Sequence, residues 1–429
     1  MWGNLFLLLS LGALLVAWWP GLLAPSAFGT LKTILFFGLG VSFLALKVAR
    51  KDFWLGMGLL AMAASTILNM LWNRTALLSS SDRGLELAFS YSPLFALAGL
   101  AMAACLFIWS SELDLKTSRW LAWLLCLVAS ASTAIGFLQQ FGGPYPDLYS
   151  GDPMSLGAPP GLFANPGLAG GALAMTLPIA LSFLPAVAPL ILLGVIFTKS
   201  SAGVAAAILA SLWWFWPRLK PMSFAVLVGC SIVLGLFLIL SDWERIAERS
   251  RAFERIKVWK ATVWLWPRFP EGRFLGDPSL PLSWKSLVFG WGLSSYAKRF
   301  PLWDYRLFGI SFKREEQPTV EEAAAVSKDD PQRIRTGPKT SAVGRMWTHP
   351  HNEYLKILFE GGLLAALPIG MWLMRLLKTL GLASRETRAW AASVLAGLIF
   401  ALWHFPFHFP PTGAIFVVAL GRLYAGGRA

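Results

Sequence analysis

Charge is what this chain has least of, and acidic charge above all. Only 14% of its 429 residues are charged, about half the usual share of a soluble domain, which excludes an ordinary solvated surface along most of its length. There are 23 acidic residues against 37 Lys and Arg, for a formal charge of +14. That excess does not point to nucleic acid, because the basic residues fall in the loops and the hydrophilic segment between apolar runs, where they orient a membrane protein. Cysteine is also scarce. Cys105, Cys126 and Cys230 all fall inside apolar runs, so they read as small core residues, with neither a disulfide framework nor a metal cluster among them. The first apolar stretch lacks a basic flank and a small-residue cleavage site, so a cleaved signal peptide is not expected. No solenoid-type repeat and no long low-complexity tail is visible.

What fills the chain instead is apolar: 56% hydrophobic residues, with 22 Trp and 30 Phe. Runs of roughly twenty such residues recur from end to end, the length an α-helix needs to cross a bilayer. The expected fold is an all-α polytopic membrane protein of about twelve transmembrane helices. The spans fall near 4–23, 29–47, 53–72, 90–110, 120–140, 167–184, 187–198, 201–216, 222–241, 355–374, 389–404 and 411–426. This divides the chain into the first nine helices (1–241), a large hydrophilic loop (242–350) and three last helices (351–429).

Basic residues orient this map. Lys47, Arg50 and Lys51, then Lys116 and Arg119, Arg218 and Lys220, and Arg375, Lys378, Arg385 and Arg388 occupy alternate short loops. The intervening loops near 73–89, 141–166 and 404–411 hold only Arg74 and Arg83. The N-terminus is therefore expected inside and the 242–350 loop outside. That loop opens with an amphipathic run from Asp242 to Trp266. It continues through Pro/Gly-rich stretches to a charged segment near 313–339 that reads as mobile.

Four polar clusters then share the outer face: Gly161 to Gly167, ending Asn165-Pro166-Gly167; Thr198-Lys199-Ser200-Ser201-Ala202-Gly203; Arg251 and Arg255, followed by Trp259; and Thr348-His349-Pro350-His351-Asn352-Glu353, with His404 and His408 in a further outer loop. All four histidines of the chain land on one side of this map. Imidazole is the side chain suited to acid–base chemistry near neutral pH. Each cluster also has a plainer reading. Asn-Pro-Gly is a common turn before a helix, and a lysine at a span end snorkels to the interface. Arg251 and Arg255 share a helix face with Glu244 and Glu248, which makes a solvated salt-bridge ladder as good a reading as an anion site. Zinc held by His349, His351, His404 and His408 is a sharper alternative, but Pro406 and Pro410 spoil the helix that would align the last two. The nearest carboxylate pair, Asp329-Asp330, lies in the charged stretch and reads as solvated.

Taken in order, these clusters resemble the O-antigen ligase family, which also covers O-antigen polymerases and protein O-oligosaccharyltransferases. His349 to Leu367, HPHNEYLKILFEGGLLAAL, is similar to that family's His-Asn-x-x-Leu…Glu-x-Gly signature. GLFANPGLAGGAL (161–173) resembles its Gly-x-Phe-x-Asn-Pro segment, and Arg255-x-x-x-Trp259 with Phe289-Gly290-Trp291-Gly292 resembles the entry to its outer loop. Trp403-His404-Phe405-Pro406-Phe407 resembles a late His…Pro-Phe/Leu element of that family. One motif departs: where the family has Ser-Arg, this chain reads Lys199-Ser200-Ser201.

The resemblance implies a GT-C-like membrane fold in a bacterial inner membrane, with the site facing the periplasm. It implies glycan transfer from a polyprenyl (undecaprenyl) diphosphate carrier to a lipid or saccharide hydroxyl, with no metal and no cofactor. His351 is then the expected general base, Asn352 an orienting group and Glu353 the residue that fixes the imidazole tautomer. Arg255, Arg251 and Lys199 are expected to hold the diphosphate, and Trp and Tyr of the outer loop to face sugar rings. Asn165, Ser200, Ser201, His349, His404 and His408 are secondary candidates. A lipid A–core acceptor would make the protein a ligase, and a second carrier-linked glycan a polymerase. A transporter or flippase, the reading from another class, would show internal symmetry and charges at mid-membrane, whereas the expected spans are nearly free of charge.

Overall fold

The computed structural model describes residues 40–73, 93–140, 161–163, 165–218, 252–268, 282–293, 295–296, 350–384, 387–404, 406–408 and 410–426. The expected spans 4–23 and 222–241, the first part of the 29–47 span, Arg251, His349 and the charged stretch near 313–339 lie outside these residues.

The described residues are mostly helical, without a strand; one isolated antiparallel bridge joins Arg268 to Leu282. In chain order the helices are α1 (Gly40–Ala49), α2 (Phe53–Asn73), α3 (Pro93–Glu112), α4 (Leu115–Gln140), α5 (Pro166–Phe183), α6 (Ala188–Phe197), α7 (Ser201–Phe215), α8 (Ala252–Leu265), α9 (Trp284–Phe289), α10 (Glu353–Gly381), α11 (Arg388–Ala401) and α12 (Pro410–Gly426). Three of them, α4, α5 and α10, are long and apolar enough to cross a membrane, so this is a helical membrane protein. The helix α8 falls inside the run that reads as amphipathic.

Helix α5 is the axle of the fold. Thirteen consecutive residues, Leu168 to Ala180, are buried, as expected of a helix that is apolar all round. It packs against α4, α6, α7, α11 and α12. Its Gly-Ala-rich face lets those neighbours come close. A Cβ on Gly171 would fall 2.3 Å from the Phe400 ring, and a Cβ on Gly203 of α7 would fall 2.8 Å from the Gly170 backbone.

The segments expected as spans 187–198 and 201–216 are two short helices. With 10 residues in α6 and a rise of about 1.5 Å each, α6 reaches about half of a bilayer core. The 3-10 turn Pro185–Val187 precedes it.

The packing has two distinct ends. At one, Lys51 pairs with Glu112 (3.0 Å), and Tyr424 donates to Asp52 (2.7 Å) while accepting from Trp372 (3.2 Å). Arg422, inside the expected last span, is buried and donates to the carbonyls of Ser110 and Leu113. Arg388 lies over the Trp213 ring, 4.5 Å from its centroid, tying the start of α11 to the end of α7. At the opposite end, α5, α7 and α10 begin and α11 finishes.

Candidate functional site

Three helices start at this end, and each is capped by a residue singled out in the sequence. Asn165 accepts from Gly167 N–H (2.7 Å) and Pro166 opens α5; Ser200 accepts from Gly203 N–H (3.1 Å) at α7; Asn352 accepts from Leu355 N–H (3.0 Å) at α10. Asn and Ser are favoured there because their oxygens satisfy N–H groups that the helix leaves unpaired. Asn352 does more. Its Nδ2 donates to the carbonyl of Leu402 (3.1 Å), tying the start of α10 to the end of α11.

This fastening holds His351, one residue upstream, in an unusual backbone state. Lys199 (φ 52°) and His351 (φ 51°) are the two non-glycine residues with positive φ among the described residues. Left-handed backbone is costly for residues with a Cβ and concentrates at functional sites. His351 is partly buried. Its ring meets that of His404 edge to face at 5.6 Å, and His404 in turn stacks flat on Phe400 at 4.7 Å. Gly167 closes the far side of His404: a Cβ there would fall 2.8 Å from the imidazole Cε1.

Helix α8 lies against the segment that precedes α10. Trp259 donates through Nε1 to the carbonyl of Pro350 (2.8 Å), and its ring packs on Trp403 at 5.5 Å. One turn earlier on α8, Arg255 donates to the carbonyl of Trp403 (3.1 Å). The guanidinium thus rests on the carbonyl end of α11, the negative end of that helix.

The structure therefore brings Asn165, Gly167, Arg255, Trp259, His351, Asn352 and His404 into one cluster. The Thr198–Ser200 turn adjoins it, because a Cβ on Gly170 would meet Ser200 Cβ at 2.6 Å and Thr198 Oγ1 at 2.8 Å. Lys199 and Ser201 are exposed there. His408 ends the short 3-10 turn Pro406–His408. Glu353 is buried, and its Oε1 accepts from Phe407 N–H (2.9 Å). That bond fastens the turn after His404 to the start of α10. Among the described residues no three His, Cys, Asp or Glu side chains gather in a way that could hold a metal.

Burial lowers the pKa of His351 well below the ordinary histidine value, and the neighbouring His404 and Arg255 lower it further. Burial, followed by the Arg255 charge, takes His404 down to about 3. Arg255 is itself lowered by burial but stays cationic, as arginine does in proteins. Two neutral imidazoles therefore stand beside one cation.

Sequence reasoning missed one feature. Lys356 and Glu360, inside the expected 355–374 span, are both 1% exposed and lie 3.9 Å apart. The expectation of spans nearly free of charge is corrected here. The signal was present as a Lys-x-x-x-Glu spacing in an apolar run, since opposite charges four residues apart on a helix are neighbours.

Comparison with models of known protein families, with curated proteins and with solved structures found no match.

Proposed function

We propose that the chain is a polytopic membrane glycosyltransferase of the O-antigen ligase type, with about twelve spans and its site on the periplasmic side of a bacterial inner membrane. It would transfer a glycan from a polyprenyl diphosphate carrier to an acceptor hydroxyl. The observation that carries this reading is the meeting of segments far apart in sequence. Arg255, a neutral His351 beside His404, and the capped starts of α5, α7 and α10 share one end of the bundle.

The chemistry follows from those groups. His351 takes the proton of the acceptor hydroxyl as its oxygen attacks the anomeric carbon. The bond from that carbon to the phosphate oxygen breaks, and the diphosphate leaves with the electron pair. Arg255, with Arg251 and Lys199, neutralises the charge that builds on it. Helix N-termini favour the same anion. In the free protein the charge of Arg255 disfavours protonation of His351. A bound diphosphate offsets that charge, so donor binding raises the basicity of His351 when a base is needed. The reaction proposed here requires no metal and no cofactor.

The test is an acceptor assay. Purified protein receives polyprenyl-diphosphate glycan with either lipid A–core or a second carrier-linked glycan. Transfer to lipid A–core is the expected result. Lengthening of the carrier-linked glycan instead assigns a polymerase, and transfer to neither acceptor overturns the reading.

A further inference from the structure

The seam between α10 and the outer segment around α9 is built from groups that the transfer chemistry does not use. Helix α10 is broken at Gly362 (φ 62°, ψ −164°). Near the break, the carbonyls of Phe359 and Glu360 accept from the N–H groups of Trp291 (3.0 Å) and Gly292 (2.8 Å). Gly290 (φ 65°) faces Gly362 so closely that a Cβ on either would fall 2.4 Å or less from the other's backbone nitrogen. The Trp291 ring lies flat on Phe359 at 5.6 Å. The Glu360 carboxylate sits at the centre of this seam. Its Oε1 accepts from Tyr296 N–H (3.3 Å) and pairs with Lys356.

From the same turn, two bonds run to α8 and the residue that follows it. Trp291 Nε1 donates to the carbonyl of Trp266 (3.1 Å), and the Tyr296 hydroxyl bonds the Thr262 hydroxyl (3.0 Å). Thr262 is two turns along α8 from Arg255. A continuous path of buried contacts therefore links the helix that follows His351 to the helix that carries Arg255.

We propose that Glu360 is a positioning residue for glycan transfer. It locks the 290–296 turn, and through it α8, so that Arg255 is held at the end of α11 beside His351. A helix on the surface of a bundle has few contacts of its own to fix it, and the carboxylate supplies a rigid anchor. Lys356 keeps that carboxylate aimed, because an unpaired buried charge is strongly disfavoured. The proposal rests on the reading of the site as a glycan-transfer site.

Two readouts separate the two ideas. Spin labels at Ile256→Cys on α8 and Leu382→Cys beyond α10, both exposed positions, are placed in full-length protein lacking its three native cysteines. Wild type is expected to give a narrow distance distribution. Glu360→Ala is expected to broaden it, and the double variant Lys356→Met with Glu360→Gln to restore it, since the acceptor for Tyr296 remains and no lone charge is left. In the transfer assay, Glu360→Ala should raise the donor KM roughly tenfold, the loss of one charge-assisted contact, while the acceptor KM stays put. A folding defect alone would lower kcat and spare both KM values. Tyr296→Phe and Thr262→Val remove no charge, so they decide the matter if Glu360→Ala fails to fold. Both should broaden the distribution. A distribution as narrow as wild type in those two variants overturns the proposal, whether or not transfer is observed. Absence of transfer by wild type, with the distances behaving as expected, overturns the transfer reading and leaves Glu360 as the anchor of α8.

Discussion

The rings of His351 and His404 meet edge to face at 5.6 Å, and burial, followed by the charge of the Arg255 guanidinium, lowers the pKa of both. A base that is neutral well below pH 6.5 should not lose activity as pH falls through the ordinary histidine range. Active protein needs neutral His351, so activity is present above its pKa and lost below it. The pH profile of kcat/KM, which reports the free protein, should stay flat from about pH 8 to about pH 6. The acid limb of kcat should lie at higher pH, because bound diphosphate offsets Arg255. A kcat/KM limb centred on the ordinary histidine value would mean that His351 is solvated and uncoupled. His351→Ala should lower transfer by about a hundredfold or more, the usual contribution of a general base, at unchanged yield of folded protein.

Arg255→Lys should remain impaired. Lysine keeps the charge but loses the planar fork that grips phosphate oxygens in pairs. Full transfer by this variant would reduce Arg255 to a partner of the Trp403 carbonyl. Transfer should also survive EDTA, and loss that a single divalent metal restores would return the histidines to a metal site.

Gly167→Ala is expected to disturb the site without touching any charge, since its Cβ would fall 2.8 Å from His404 Cε1 and 3.0 Å from Asn165 Oδ1. Crowding of this kind costs about 1–3 kcal/mol, readable as a lower thermal midpoint in detergent together with reduced transfer. Gly370→Ala is the control, because its Cβ would meet nothing within 4 Å. It should leave the midpoint unchanged or raise it slightly, as alanine favours the helix.

The two ends of the bundle should label from opposite sides. Leu282→Cys is on the site side and Leu382→Cys on the other, and both positions are well exposed. In a background without native cysteines, an impermeant maleimide should reach the first in cells with an opened outer membrane, and the second only after the inner membrane is permeabilised. The reverse pattern would place the site in the cytoplasm and remove the periplasmic reading with it.

The sequence by itself determined where helices form and how they start. Apolar runs near 53–72, 120–140 and 167–184 correspond to α2, α4 and α5 within a few residues, because hydrophobic length is a local property. Asn165-Pro166-Gly167 marked the start of α5 for the same reason, since a cap acts within about three residues of itself, whereas the cap that Asn352 makes on α10 came from the structure. The segments 187–198 and 201–216 correspond to α6 and α7 within one residue. Which ends meet was a matter for the tertiary structure alone. Gly167 against His404, Arg255 on Trp403 and Gly290 against Gly362 join residues tens to hundreds apart. Such contacts arise from the fit of small faces and from backbone groups that need partners away from water, and neither is written in the spacing of any one segment.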